Sequence, residues 1–148
     1  MAVKYFQNLT QEEAALMYKA PALVTVLIAG ADKNIDKKEK DWAAKVVNYR
    51  TFTAQPKLQE YYEIVQKTFE ETLNNLVDGW NADSEKEIIH ELSQTNSIFA
   101  KIDPEYAGYL KASWRSLAEK VAGASGGLLG LGSVDKHERE LIGLPMID

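Results

Sequence analysis

The chain has 148 residues, 45% hydrophobic and 26% charged, which is enough to bury one core without disulfide or metal staples. Its net charge of −5 argues against a nucleic-acid partner, and the absence of cysteine removes disulfides, thiolate zinc sites and cysteine nucleophiles. Residues 1–148 read as a single domain.

Thr10 and Glu13 have the spacing of a capping box, which opens a first helix running to about Tyr18. Pro21 fits the first position of a second helix that ends near Ala31. Its body, PALVTVLIAGA, is the most hydrophobic run of the chain. It is too short to span a bilayer and is followed by acids and lysines, so it reads as a buried helix. The opening residues MAVKYFQNLTQEE carry no apolar signal-peptide core, and the expected compartment is the cytoplasm.

Asp36 is placed to cap a third helix, with Trp42, Val46, Val47 and Phe52 along one side. Pro56 opens a fourth, in which Leu58, Tyr61, Tyr62, Val65, Phe69, Leu73 and Leu76 recur at three- and four-residue spacing. Residues 80–83 break the pattern. Ser84 with Glu87 has capping-box spacing for a fifth helix, with Ile88, Ile89, Leu92 and Phe99 inward. Asp103-Pro104 starts a sixth, with Tyr106, Tyr109, Leu110, Trp114, Leu117 and Val121 on one face. A glycine-rich loop over residues 126–133 precedes a last helix capped by Asp135. No stretch alternates with period two for long enough to make a strand. The expected fold is all-α, with about seven helices in one bundle.

Residues 28–41, IAGADKNIDKKEKD, and residues 121–140, VAGASGGLLGLGSVDKHERE, read as two copies of one corner. Ala29-Gly30-Ala31 matches Ala122-Gly123-Ala124, and Ile35-Asp36-Lys37 matches Val134-Asp135-Lys136. Glu39, Lys40 and Asp41 match Glu138, Arg139 and Glu140. Nine residues separate the matched triplets in the second copy where three do in the first. The shared content is a helix ending in small residues, a turn and an Asp-capped helix start, which implies an internal pseudo-repeat.

An apolar helix ending Ala-Gly-Ala-Asp, a short turn and then Ile-Asp-x-x-Glu resembles the tellurite-resistance TerB-like family. The family usually has Gly after the first Asp, where this chain has Lys33. The resemblance implies an all-helical, internally duplicated fold and a metal-responsive or partner-binding module rather than a reaction. It also implies a stress-response setting, with a protein partner and peripheral contact with membranes.

Asp32, Asn34, Asp36 and Glu39 could supply the several oxygens that Ca²⁺ or Mg²⁺ requires. Positions 32, 34 and 36 match the opening of an EF-hand loop, but Lys37 stands at the invariant glycine and Ala43 at the bidentate glutamate. A metal here needs a shorter geometry, with Glu39 reaching back from the first helical turn. The competing reading is a capping box between Asp36 and Glu39, worth about 0.5–2 kcal/mol. Charge favours the cap, since Asp32, Asp36, Glu39 and Asp41 are balanced by Lys33, Lys37, Lys38 and Lys40. At the second corner Ser125 replaces Asp32, and Asp135 and Glu138 read as caps.

The loop GGLLGLGS lacks a Walker ending and follows a helix, so it is no phosphate loop. Leu128, Leu129 and Leu131 either tuck onto the core or present an apolar tip to a partner or membrane. The stretch GASGG fits the G-x-S-x-G pattern of hydrolases, but it ends a helix, and Asp135 and His137 lie two residues apart. That makes a hydrolase the remote alternative. His90 lies in IIHELSQ, which is not H-E-x-x-H, and reads as a helix-surface residue. Tyr61 and Tyr62 read as core, with a partner groove as the sharper alternative, and Glu70 and Glu71 as a solvated face. The expected function is therefore a non-catalytic binding module, with a metal-free scaffold as its alternative.

Overall fold

The computed structural model of the chain describes residues 3–30, 41, 43–45, 47–48, 55–125 and 140–148. Every regular element among them is helical, as the spacing of apolar residues requires. A 3-10 turn at Lys4–Phe6 leads into four long helices: α1 (Gln11–Ala29), α2 (Pro56–Asp78), α3 (Ser84–Phe99) and α4 (Pro104–Ser125). Residues 41, 43–45, 47–48 and 140–142 are helical as well. None of these helices is long and apolar enough to cross a membrane.

The helix starts follow local chemistry, with one exception. Thr10 and Glu13 form the full capping box, with Glu13 N donating to Thr10 Oγ1 at 3.1 Å and Thr10 N to Glu13 Oε1 at 2.9 Å. Asp103 Oδ2 accepts from Tyr106 N at 3.0 Å. Pro56 opens α2 behind Gln55, whose side chain accepts from Lys57 N. The expected box between Ser84 and Glu87 does not form. Asp83 is the residue before α3 and makes no side-chain cap bond. Ser84 Oγ is instead taken by Asn81 N at 2.8 Å, while Asn81 Oδ1 accepts from Asp83 N at 2.8 Å, so the tight turn uses the hydroxyl the cap would need.

The two helices expected on either side of Pro21 are one. Proline inside a helix has no N–H for the carbonyl four residues back, and its ring crowds that carbonyl. Here the carbonyl belongs to Met17, and it accepts from Tyr61 Oη on α2 at 2.6 Å. Tyr61 Oη in turn accepts from Trp114 Nε1 on α4 at 3.2 Å. Thr25 Oγ1 donates to Pro21 O at 2.8 Å, tying the next turn. A partner forty-four residues away thus replaces the missing helical bond and lets α1 run on.

From Ala20 to Gly30 every residue of this stretch is buried, which marks α1 as the central helix, apolar all round. It packs against α2, α3 and α4, while α2 and α4 touch each other less. The inward residues of the other helices are those the spacing selects: Tyr61, Tyr62, Val65, Phe69 and Leu73, then Ile88, Leu92 and Phe99, then Tyr106, Leu110, Trp114, Leu117 and Val121. Tyr61 and Tyr62 are fully buried, so they belong to the core and not to a groove.

The 3-10 turn closes an aromatic cluster at the start of α1. Phe6 packs edge-on to Tyr61 and Tyr106, Tyr5 stacks on Tyr106 with centroids 4.1 Å apart, and Val3 N donates to Tyr18 Oη at 3.0 Å. Burial pushes the Tyr61 and Tyr106 hydroxyls well above the ordinary phenol range, so both stay neutral. Tyr106 Oη is buried with no hydrogen-bond partner among the described residues.

Ion pairs fix how the helices run. Glu13 at the start of α1 meets Lys101 at the end of α3 (2.5 Å), while Lys19 meets Glu91 (3.2 Å), so α1 and α3 are antiparallel. Lys57 meets Glu105 at 3.0 Å, at the starts of α2 and α4, so these two are parallel. Met17 touches Tyr61 early in α2, and Gly30 packs on Trp80 just past its end, so α1 and α2 are also parallel. Helices α1, α2 and α4 therefore finish at one end of the bundle.

Two of these pairs predict acid sensitivity. Lys101 and the backbone N–H of Thr10 hold the Glu13 carboxyl below its ordinary value, and Lys57 and Tyr109 do the same for Glu105. A depressed carboxylate contributes stability above the unfolded carboxylate range and loses it as pH falls through the folded value. The melting temperature is expected to fall from about pH 5 downward, and to fall less steeply in Lys101→Met with Lys57→Met. Identical acid profiles for the wild type and this double variant would contradict the assignment.

Candidate functional site

The four expected metal ligands, Asp32, Asn34, Asp36 and Glu39, lie outside the described residues, as do residues 126–133, Asp135, His137 and Glu138. The structure shows what flanks the first corner. Gly30 ends α1, its N–H reaching Ile28 O and Val26 O. A Cβ on Gly30 would stand 2.6 Å from Trp80 Cζ2, so the backbone at the end of α1 lies directly against the indole. Glycine is required here by close approach and not by backbone angle, because φ is −83°. Trp80, which its place at a helix end marks as a core-edge residue, is half-buried and joins the end of α2 to the start of the corner.

From the last residue of the corner onward, Asp41, Ala44, Lys45, Val47 and Asn48 form one wall of an open cleft of about 550 Å³. The other wall is α2, with Gln66, Lys67, Phe69, Glu70 and Glu71. Val47 and Phe69 are buried at 1% and 3% exposure and form the floor, while the charged side chains stand on the rim. Glu70 and Glu71 are exposed, as a solvated face requires, yet they also edge this cleft. Three carboxylates and two ammonium groups face each other across it. That mixture suits a polar peptide or protein surface and lacks the basic stripe that nucleic acid needs. The exposed face carrying Glu70 and Glu71 is readable from spacing, but not the segment opposite it.

Among the described residues no three of His, Asp and Glu converge as metal ligands. His90 is exposed, with Nε2 3.3 Å from Gln94 Nε2, as a surface histidine on α3. No protein-family model, curated protein or solved structure matches the chain.

Proposed function

We propose that the chain is a non-catalytic helical module of TerB-like character. It binds a divalent ion, Ca²⁺ or Mg²⁺, weakly through Asp32, Asn34, Asp36 and Glu39, and contacts a protein partner in a stress-response setting in the cytoplasm. The observation that carries this reading is the course of the helices. The helices preceding the two sequence-matched corners, α1 and α4, run parallel and finish at the same end, as an internally duplicated bundle needs. The spacing of the four oxygen donors supports the choice of ion class. The cleft beside Asp41 supports a polar protein partner. A metal-free scaffold is the second reading, favoured by the local balance of four acids against four lysines around the corner.

The test is a thermal-unfolding titration of EDTA-stripped protein with Ca²⁺, Mg²⁺ and Mn²⁺, run in parallel on Asp32→Ala. An ion binding only the native state stabilises by about 2.7 kcal/mol at a hundredfold excess over Kd. The expected result is a rise in midpoint with one ion that disappears in Asp32→Ala, accompanied by a change in Trp80 emission. No shift at millimolar ion leaves Asp36 and Glu39 as helix caps and the chain as a scaffold.

A further inference from the structure

Helices α3 and α4 are joined by a short turn, yet their backbones approach each other closely at hardly any point. Phe99 at the end of α3 reaches across, its ring centroid 5.3 Å from that of Trp114 and 4.9 Å from Lys111 Nζ. Residues 140–148 bridge the two helices as well. Leu141, Leu144 and Ile147 of this segment are buried, whereas Gly143, Pro145 and Asp148 are exposed. On α3, Asn96 Nδ2 donates to Met146 O at 2.9 Å, and Asn96 Oδ1 accepts from Asp148 N at 3.0 Å. On α4, Arg115 Nε donates to Gly143 O at 3.0 Å, and its Nη2 donates to Ile147 O at 2.8 Å. Leu144 is fully buried at φ 49°, a left-handed conformation disfavoured for a residue with a Cβ, so packing and not local preference holds the segment in this course.

The ties among the other three helices are of a different kind. Tyr61 on α2 donates to Met17 O on α1 and accepts from Trp114 Nε1 on α4, and both bonds are buried. Helix α3 takes no part in them. It lies against α1, where the ion pairs Lys19 with Glu91 and Lys101 with Glu13 are partly exposed and hold weakly. We infer that residues 140–148 are a strap that fastens α3 to α4, and that α3 and the strap open together as one unit while α1, α2 and α4 stay closed. A fold opens locally where its buried ties are fewest, and the unit that opens is a contiguous motif. The strap is gripped on each side by a single side chain, so loss of Asn96 or of Arg115 removes two of these four bonds.

The test is amide hydrogen exchange of the full chain, read by mass spectrometry, in the wild type and in Arg115→Met, which keeps most of the side chain's apolar length. Peptides from α3 and from residues 140–148 are expected to exchange faster together, by about tenfold or more, since a charged donor to two carbonyls is lost. Peptides from α2 and from the second half of α1 are expected to keep their wild-type rates. Asn96→Ala cuts the bridge from the α3 side and is expected to give the same pattern. It carries the test if circular dichroism shows Arg115→Met to be unfolded. Wild-type exchange throughout α3 in the folded variants overturns the strap, whether or not residues 140–148 loosen. Equal acceleration in α1, α2 and α3 overturns α3 as a separately opening unit.

Discussion

Tyr61→Phe is expected to destabilise the protein by about 2–4 kcal/mol in urea unfolding, because two buried polar groups lose their partner at once. Met17 O cannot recover a helical bond, since residue 21 is proline, and Trp114 Nε1 loses its acceptor. The ring itself is kept, so the cost isolates the hydroxyl from the packing around it. The diagnostic step is Pro21→Ala in the Tyr61→Phe background. Alanine supplies the N–H that Met17 O lacks and is expected to recover roughly 1 kcal/mol or more, leaving only the indole unpaired. In the wild-type background the same Pro21→Ala change gains less, because Tyr61 already occupies Met17 O. A double-mutant cycle with no coupling between positions 21 and 61 would refute the replacement of a helical bond by the tyrosine.

Gly30→Ala carries the second large effect. The added Cβ would stand 2.6 Å from Trp80 Cζ2 and 2.8 Å from Cη2, distances at which the indole has to move. Overpacking of this kind costs about 1–3 kcal/mol. Since φ is −83°, alanine itself is comfortable at this position, and better than glycine for an ordered helix end. The whole penalty therefore belongs to Trp80. In a Trp80→Leu background Gly30→Ala is expected to be neutral or slightly stabilising. Displacement of the indole is also expected to shift its emission to longer wavelength. A destabilisation that persists without Trp80 would place the conflict elsewhere.

Local chemistry was legible wherever a residue's partner lies within a few positions. The box of Thr10 and Glu13, the caps at Asp103 and Pro56, and the inward faces of α2, α3 and α4 all followed from spacing alone. Pro21 was misread because the local rule treats its missing N–H as a helix boundary. The group that compensates for it, Tyr61, is distant in sequence and looks like any core tyrosine. Ser84 failed as a cap for a related reason, its hydroxyl being claimed by the turn before it. Asn96 and Arg115 bond the backbone of Met146 and Ile147, and nothing in their own helices announces it. The candidate site was legible only as a donor set at Asp32, Asn34, Asp36 and Glu39. Spacing names possible ligands, but convergence of their oxygens on one point is a tertiary property that spacing does not contain.

The common direction of α1, α2 and α4 has an electrical consequence. A helix terminates in unpaired carbonyls equivalent to about half a negative charge, effective within its last turn. Three of the four long helices deliver that partial charge to the end holding Gly30 and Gly79, and of those four the start of α3 opposes them there. That pole attracts cations whatever their source.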